Sequence, residues 1–306
     1  MRIFESKSAM REFSREQRGA GKRVGFVPTM GYLHEGHLQL VECAKASCDV
    51  VVVSIYVNPT QFSQNEDFGT YPTSLEADKA KLELIACDAL LLPSRSLYCY
   101  AEDGDGQRGD EGLVVGCGTG EDAGQHSTWV EVGRVSEGLC SLSRPHFFRG
   151  VATVVTKLFH IVEPDVAFFG KKDYQQLKVI TRLVRDLDFG IKIVGVPISR
   201  EDDGLARSSR NALLTEAHRH KAPVIFQSLV DAQRLCRGAE SGSLAIDVVT
   251  KEIQRRIEAA GGVVDYVHVV DAETVARRTD VVDVGSSLIA VAAFFGSVRL
   301  IDNIEV

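Results

Sequence analysis

The sequence predicts an α/β protein, with a doubly wound, Rossmann-like parallel sheet followed by a second, smaller α+β domain. Short apolar runs recur up to about residue 197, and stretches with helical spacing of apolar residues separate them. Continuously apolar strands that alternate with helices are typical of a parallel sheet that is covered on both faces. Beyond residue 197 this alternation ends, which indicates a different kind of domain.

Five apolar runs predict the strands of the parallel sheet, and helical spacing at 151–159 and 177–187 predicts two of the helices between them. At the N-terminus, Phe4, Met10 and Phe13 predict an amphipathic first helix with these side chains facing inward. The predicted strands are RVGFVP at 23–28, DVVVVSIYV at 49–57, ALLLP at 89–93, VAFFG at 166–170 and IKIVGVP at 191–197.

The remaining residues, 198–306, predict a smaller α+β domain that acts as a lid. Helical stretches at 215–236 and 243–260 precede the strand-like runs VDYVHVV, SLIAVAAFF and VRLIDNI. We expect a hinge near residues 197–203 and a cleft at the domain junction, where ligands commonly bind. Residues 1–197 are then the first and larger domain, which contains the predicted parallel sheet.

Composition is that of a folded globular protein, with 306 residues, 44% of them apolar and 25% charged. No apolar run approaches the roughly 20 residues that span a bilayer, and the first residues lack the continuous apolar core that a secretory signal would show. Seven cysteines, an odd number without a C-x-x-C pair, predict reduced thiols and a cytoplasmic protein. The sequence shows no basic face, which argues against nucleic-acid binding.

The formal net charge of −7 comes mostly from one acidic, glycine-rich stretch, AEDGDGQRGDEGLVVGCGTGEDAGQH at 101–126. Little in it could pack, so we expect a mobile insertion in a loop. A phosphate-binding loop is less favoured, because no Lys-Ser/Thr follows the glycines and the acidic residues would repel phosphate.

The segment TMGYLHEGH at 29–37 follows the first of these five strands directly. In an open α/β sheet, ligands bind beyond the carboxyl ends of the strands. Glycines there allow close approach, and a helix that starts near Gly36 directs its N-terminal N–H groups at a bound anion. His34 and His37 can donate to phosphate oxygens and stabilise developing charge. Two alternatives are that the histidines only cap the turn, or that they bind zinc, although no third ligand stands at convincing spacing.

The spacing T-x-G-x-x-H-x-G-H resembles the signature of the nucleotidyltransferase superfamily, whose histidines engage ATP phosphates. Six collinear blocks then resemble the pantothenate synthetase (pantoate:β-alanine ligase) family. The blocks are FVPTMGYLHEGHLQLV, VVSIYVNPTQF, YPTSLEADKAKLE, FFRGVATVVTKLFHIVEPDVAFFGKKDYQQLKVI, IVGVPISREDDGLARSSRNALLT and RLIDNIEV.

This resemblance implies an ATP-dependent condensation of pantoate with β-alanine to pantothenate. Pantoyl adenylate forms first and releases pyrophosphate, and the amine then displaces AMP. The adenylate supplies a good leaving group, which a carboxylate lacks. The resemblance also implies Mg²⁺, whose ligands the sequence does not identify, and a homodimer. It further implies that residues 1–197 are the ATP- and pantoate-binding domain. Composition and spacing alone predict only adenylyl transfer, without the identity of the substrates.

Carried over position by position, the resemblance implies three sets of site residues, and some acidic residues stay outside these sets. Glu76 and Asp78 could help to hold Mg²⁺, but acids on an exposed helix face are usually solvated, so we exclude them. Glu137 lies near a family acidic position in a less similar stretch. The implied catalytic residues are His34, His37, Lys172 and Arg210; the ATP-binding residues are Met30, Gly36, Gly170, Asp173, Ser208 and Ser209; the pantoate-binding residues are Gln61, Gln176 and Asn58.

Taken without the resemblance, several of these residues have ordinary structural interpretations. Lys172 could be a solvated charge at a helix start, Asp173 an N-cap, and Gln61 or Gln176 polar surface. The chain also departs from the family pattern at Lys171, at Arg207 and at Phe147, next to His146, to which we assign no role.

Other functions fit the first motif less well. An adenylyltransferase acting on a phosphorylated small-molecule acceptor would need a cationic acceptor site in place of the two glutamines. An aminoacyl-tRNA synthetase would need a basic RNA-binding domain. A nucleotide sensor without activity would have no need of the histidines, Lys172 and Arg210 together.

Overall fold

A computed structural model describes residues 1–62, 69, 71–93, 97–98, 126–239 and 243–306. The predicted insertion at 101–126 therefore lies outside the described residues, apart from His126. The chain forms two compact units. Unit 1 comprises Met1–Val132, Arg144–Phe169 and Ile180–Val196; unit 2 comprises Gly133–Ser143, Gly170–Val179 and Pro197–Val306. Among the described residues, no helix has the length and apolar character needed to cross a membrane.

Unit 1 contains a sheet of six strands in the described residues, in the order β1-β4-β3-β2-β5-β6. Its pairings β1–β4, β4–β3, β3–β2 and β2–β5 are all parallel. The predicted doubly wound parallel sheet is confirmed. The strands are β1 (Arg2–Phe4), β2 (Val24–Thr29), β3 (Val50–Ile55), β4 (Ala89–Leu91), β5 (Val166–Gly170) and β6 (Lys192–Val196).

Strand β1 was not expected, because its three residues are too few to show a strand pattern. Phe4 therefore lies in a strand, and the prediction that it belongs to the first helix is wrong. The helix itself begins after the Ser6 N-cap, whose side chain accepts a hydrogen bond from the Ala9 N–H. Met10 and Phe13 are buried as predicted.

An aspartate stands just before each of β3, β4 and β5, in the sequences CDVVVV, CDALLL and PDVAFF. Each carboxylate accepts a 2.8 Å hydrogen bond from a backbone N–H of the neighbouring strand or the residue before it: Asp49 from Arg23, Asp88 from Val51 and Asp165 from Val24. These bonds satisfy donors at the ends of the strands and help to fix the register of the parallel pairs.

Each helix of unit 1 buries apolar side chains. Helices α2 and α5 both contact the central strand β2. The helices that begin in unit 1 are α1 (Lys7–Gly19), α2 (Glu35–Lys45), α3 (Leu75–Leu84) and α5 (Phe147–Val162). The short helix α4 (Cys140–Ser143) belongs to unit 2, and helix α6 (Tyr174–Asp186) begins in unit 2 and ends in unit 1.

Unit 2 is built on an antiparallel sheet in the order β11-β10-β8, as the strand-like runs predicted. A separate pair joins β7 to β9. The strands are β7 (Ser243–Ala245), β8 (Val263–Asp271), β9 (Val281–Asp283), β10 (Ser287–Phe295) and β11 (Val298–Glu305).

Helices α7 (Glu216–Lys221), α8 (Val224–Arg237) and α9 (Ile246–Ala259) complete unit 2. The single helix predicted over 215–236 is wrong, because the chain breaks at Pro223 and restarts. Proline lacks the N–H that a continuous helix needs, but it is tolerated at a helix start. Ile225, Leu229, Ile253 and Ile257 from α8 and α9 are buried in one apolar cluster with residues of β8, β10 and β11.

The close contact between α5 and the 3₁₀ turn Pro59–Gln61 depends on Gly150. A Cβ added to Gly150 would lie 2.8 Å from the backbone nitrogen of Gln61 and nearer still to the Thr60 carbonyl oxygen. Both neighbours are backbone, so they cannot turn aside as a flexible side chain would.

We expect Gly150→Ala to lower the free energy of unfolding by about 1–3 kcal/mol through overpacking, measured by urea denaturation. Gly19→Ala is the matched control, since Gly19 is also helical and has nothing within 4 Å of its added Cβ. The control should be neutral or stabilising by about 0.5–1 kcal/mol, because alanine favours a helix. Equal stability of the Gly150 variant and the wild type would contradict this account.

Candidate active site

The carboxyl end of β2 is the point at which the order of the sheet reverses. The chain goes from β2 to β3 on one side, and later returns to β5 on the other side. Connections that leave in opposite directions open a crevice there, which is where open α/β sheets bind ligands. The segment that follows β2 is TMGYLHEGH at 29–37, so the structure brings the predicted histidine motif to this crevice.

The chain leaves β2 through a tight turn with two left-handed residues, Gly31 at φ 87° and Tyr32 at φ 51°. Thr29 stabilises its start, because its hydroxyl donates to the Ser54 carbonyl at 2.8 Å and accepts from the Gly31 N–H at 3.2 Å. A Cβ on Gly31 would lie 3.1 Å from Ile55. Glycine at this position therefore meets both a conformational and a steric requirement.

Asp78 on α3 holds this turn in place. Its carboxylate is buried and accepts 2.7 Å hydrogen bonds from two successive backbone N–H groups, those of Tyr32 and Leu33. Lys81, one turn further along α3, donates to the Leu33 carbonyl oxygen. Burial raises the pKa of Asp78, although the two amide bonds and Lys81 oppose this shift.

The interpretation of Asp78 as a solvated surface acid is therefore wrong, whereas Glu76 is 86% exposed and fits it. The spacing of α3 contains the missing signal. Asp78 lies three residues after Leu75 and four before Leu82, which places it on the apolar face of the helix. An acid on a buried face needs hydrogen-bond donors, and the turn supplies them.

His34 and His37 cap the N-terminus of α2 and lie side by side. Nδ1 of His34 accepts from the Gly36 N–H at 3.1 Å, and Nδ1 of His37 accepts from the His34 N–H at 3.3 Å. Their ring centroids are 4.1 Å apart. A ring nitrogen that accepts a hydrogen bond carries no proton, so in each neutral imidazole the proton is on Nε2. The pair thus presents two Nε2–H donors.

The histidines therefore do cap the turn, as the first alternative from the sequence states, and this capping does not exclude a functional role. Capping uses Nδ1 of each ring and fixes its tautomer, which is how histidines are prepared to act through the other nitrogen. For the zinc alternative, no group of three or more His, Cys, Asp or Glu side chains able to hold a metal occurs among the described residues.

Gln61 lies at the end of the 3₁₀ turn Pro59–Gln61, within unit 1, and is 9% exposed. Its Nε2 donates to the sulfur of Met30 at 3.1 Å, so the structure places Gln61 next to the histidine motif. Asn58 donates from Nδ2 to Gln61 Oε1 at 3.0 Å and to the Gly150 carbonyl at 3.2 Å. The bond from Asn58 orients the Gln61 carboxamide, with its NH₂ group toward Met30.

A partly buried hydroxyl and a cation complete this arrangement. Thr60 donates to the oxygen of Asn58 at 2.9 Å, and Arg144 donates to the Gln61 carbonyl at 3.1 Å. The Arg144 guanidinium also lies 3.8 Å from the ring centroid of Phe147. The departure from the family pattern at Phe147 thus supplies an aromatic surface beneath a cation that holds Gln61.

In unit 2, Lys172 lies in the 3₁₀ turn Lys171–Asp173, which joins Gly170 at the end of β5 to α6. Its ammonium group is 3.7 Å from the Asp173 carboxylate, and its side chain is 19% exposed. Lys172 and Ser208 line the same small cavity, together with Leu205 and Ala206. The structure therefore brings together a predicted catalytic residue, Lys172, and a predicted ATP-binding residue, Ser208, within this unit.

Ser208 caps the 3₁₀ helix Ser209–Leu213, and its hydroxyl accepts from the Arg210 N–H at 3.3 Å. Ser209 is buried, and Arg210 is half-buried. Arg207, just before them, is bound to its own loop, since it pairs with Glu201 at 3.1 Å and donates to the Arg200 carbonyl. The Arg207 guanidinium therefore has hydrogen-bond partners within unit 2.

The two adjacent glutamines of α6 behave differently. Gln175 is 4% exposed and fixes a loop of unit 2, because it donates to three carbonyls in 135–138 and accepts from the Cys140 N–H. One of those carbonyls belongs to Glu137, whose carboxylate accepts from the Arg134 N–H. Gln176, the predicted pantoate residue, is half-buried. The structure assigns the structural role to Gln175.

The predicted site residues fall into two groups by unit. Unit 1 contains Met30, His34, Gly36, His37, Asn58 and Gln61; unit 2 contains Gly170, Lys172, Asp173, Gln176, Ser208, Ser209 and Arg210.

We expect Asp78→Ala to destabilise the protein by more than about 2 kcal/mol, because it leaves two buried N–H groups without their acceptor. Glu76→Ala is the matched control on the same helix and should change the free energy of unfolding by less than about 0.5 kcal/mol. Chemical denaturation monitored by circular dichroism measures both. Similar losses in the two variants would show that the carboxylate does not hold the turn.

Known proteins resemble the chain over its whole length. The Pantoate-beta-alanine ligase family model matches residues 2–305. A pantoate-beta-alanine ligase of Arabidopsis thaliana is 49% identical over 309 residues, covering 99% of this chain and 97% of the relative.

Two crystal structures agree with this resemblance. Pantothenate synthetase from Thermus thermophilus superposes with a TM-score of 0.82 at 39% identity, covering 100% of this chain and 99% of that one. Pantoate-beta-alanine ligase from Francisella tularensis, in complex with beta-gamma ATP and beta-alanine, gives 0.74 at 31% identity, covering 100% and 97%. The chain belongs to the pantoate-beta-alanine ligase family.

Proposed function

We propose that this ligase condenses pantoate with β-alanine to give pantothenate, at the expense of ATP and through a pantoyl adenylate. A pantoate carboxylate oxygen attacks the α-phosphorus of ATP and pyrophosphate leaves. The amine of β-alanine then attacks the acyl carbon and loses a proton as the amide bond forms. The bond between the acyl carbon and the bridging oxygen breaks, and AMP leaves with that oxygen. The observation that carries the proposal is the pair of imidazoles that cap α2 at the crevice of the sheet, in a member of this family.

The two Nε2–H groups of His34 and His37 donate to phosphate oxygens of ATP. Gly36 and Met30 lie in the same segment, and the N-terminus of α2 adds backbone N–H groups that favour an anion. In the proposed transition state, negative charge grows on the phosphate oxygens. Donors that are already oriented stabilise this charge without reorganising, which is the main source of catalysis in such sites.

The family resemblance implies Lys172 and Arg210 as cationic donors to ATP, and Gly170, Asp173, Ser208 and Ser209 as further ATP-binding residues. A carboxylate and a triphosphate repel each other, so the attack requires positive charge near both. Lysine and arginine serve this purpose in different ways, since lysine acts as a compact charge and arginine as a planar fork.

The amides of Gln61 and Gln176 bind pantoate, which has a carboxylate and hydroxyls on a branched apolar body. Asn58, which is buried and hydrogen-bonded to Gln61, Gly150 and Thr60, orients the Gln61 amide and does not make the direct contact that the family resemblance implies. Asn58 occupies Gln61 Oε1, and one hydrogen of the Gln61 NH₂ group is donated to the Met30 sulfur, so the second hydrogen of that NH₂ group is the donor for the ligand. Such amides favour this acid over a phosphorylated acceptor, which would call for cations instead. The observation therefore supports a ligase over the alternative adenylyltransferase.

Mg²⁺ accompanies ATP in this proposal, and we assign no protein ligand to it. Mg²⁺ in such sites is usually bound by substrate phosphates, waters and one or two carboxylates. Asp78, the buried acid at the histidine turn, uses both oxygens on backbone amides. The homodimer remains a prediction from the family resemblance, and the cytoplasmic location remains a prediction from the cysteine content.

We expect the protein to exchange labelled pyrophosphate into ATP when pantoate is present, with no requirement for β-alanine. The first half-reaction is reversible and needs only the acid, so exchange reports the adenylate directly. The measurement is incorporation of ³²P-pyrophosphate into ATP with each substrate omitted in turn. Exchange without any acid, or a strict need for β-alanine, would contradict the two-step scheme.

We expect His34→Asn to lower the rate of pantoate-dependent exchange by about 10²–10³-fold while preserving the fold. Asparagine is a good N-cap, so its side-chain oxygen can still accept the Gly36 N–H, whereas the Nε2–H donor is lost. His220→Asn is the matched control, because His220 is 77% exposed on α7. Normal turnover of the His34 variant would restrict that histidine to capping.

A further inference from the structure

We propose that Asp302 and Asn303, adjacent residues of β11, are positioning residues that orient the two unit 2 segments of the ATP site, 170–173 and 208–210. This inference rests on the proposed function, since it concerns how those segments reach the nucleotide. Neither residue belongs to the sets implied by the family resemblance.

Asn303 holds the turn that carries Lys172. Its side chain is almost fully buried, and Nδ2 donates to the carbonyl of Lys171 at 3.0 Å and to that of Lys172 at 2.9 Å. Because one of these carbonyls belongs to Lys172 itself, the bond fixes the direction in which the lysine side chain leaves the backbone. Glu305, two residues further along β11, pairs with Lys171 at 2.9 Å on the exposed side.

That ion pair also explains why Lys171 is accommodated in this chain. The Glu305 carboxylate accepts hydrogen bonds from the Lys171 ammonium and, at 3.2 Å, from the Tyr174 hydroxyl. The charge of Lys171 is therefore paired with an opposite charge that is itself held in place. Exposed ion pairs contribute little free energy, so the buried amide of Asn303 is the stronger restraint on the turn.

Asp302 holds the second segment through Arg200. Its carboxylate is 4% exposed and accepts from both terminal nitrogens of Arg200, at 2.7 and 2.9 Å. The guanidinium also donates to the Gly204 carbonyl at 3.1 Å and stacks over Phe226 at 3.6 Å. These bonds fix the loop 199–207, which leads directly into Ser208. Burial raises the pKa of Asp302, and Arg200 opposes this shift.

The two anchors form one network. Asp302 Oδ1 accepts from the Asn303 N–H at 2.8 Å, and Asp302 lines the small cavity into which both Lys172 and Ser208 face. Buried networks whose members are all hydrogen-bonded are rigid. Misplacing a catalytic or binding group by about 1 Å costs about 10²-fold in rate, so this rigidity has a kinetic consequence.

The test compares Asn303→Ala with Asp265→Asn. Asp265, on β8, pairs at 3.0 and 2.8 Å with Arg299, which lies on β11 as Asn303 does. These hydrogen bonds do not involve the two segments of the ATP site, so Asp265→Asn measures a purely structural effect. We expect Asn303→Ala to change the KM for ATP or kcat by about 10- to 100-fold. Asp265→Asn should keep both within about twofold at a similar decrease in Tm.

Arg200→Lys is the second variant, and it stays informative should Asn303→Ala fail to fold. Lysine retains the charge beside Asp302 but cannot make the two parallel bonds, so we expect the KM for ATP to rise by about tenfold. Calorimetric binding of a non-hydrolysable ATP analogue provides a readout that is independent of turnover, and it should weaken in both variants but not in Asp265→Asn.

Wild-type kinetics and wild-type analogue binding in Asn303→Ala or Arg200→Lys would overturn the inference. Equal kinetic changes in Asp265→Asn would overturn it as well, because they would trace to stability alone. Failure of the proposed function looks different, since the wild-type protein would then show no pantoate-dependent pyrophosphate exchange.

Discussion

The carboxylate of Asp78 is the constraint on which the proposed catalytic geometry depends most directly. After β2 the chain must turn sharply, through two left-handed residues, before α2 can begin. Such a turn exposes backbone N–H groups that no neighbouring strand can satisfy. One buried side chain, that of Asp78, accepts two of them at 2.7 Å each. It thereby positions the segment that contains His34 and His37. Burial of this acid is acceptable only because both oxygens are used.

The histidines serve structure and chemistry with different atoms. Their Nδ1 atoms complete the start of α2, and this leaves Nε2–H as the donor on each ring. A similar division occurs at the paired amides, where Asn58 occupies the oxygen of Gln61 and leaves the NH₂ group for other partners. In both cases a hydrogen bond within the protein decides which atom of a side chain meets the substrate. Orientation of this kind lowers the reorganisation that a reaction requires.

Much of the fold could be predicted from the sequence, because the central strands are continuously apolar and the helices have clear periodicity. Strand β1 escaped prediction because three residues carry too little pattern, and the break at Pro223 was missed because apolar spacing continues across it. The histidine motif could be predicted because its spacing is local. Asp78, Asp302 and Asn303 could not be assigned roles in that way, since their partners are distant in sequence: Asn303 is 131 residues from Lys172.

The chain passes repeatedly from one unit to the other, because 133–143 and 170–179 belong to unit 2 although unit 1 residues surround them in sequence. Gln175, Tyr174 and Leu139, which contribute to the buried interior of unit 2, come from these early segments. A fragment beginning at Pro197 would lack all three. The second unit is therefore not a module that a gene could acquire or lose by simple end-to-end fusion, and insertions or deletions that preserve it must respect both early segments.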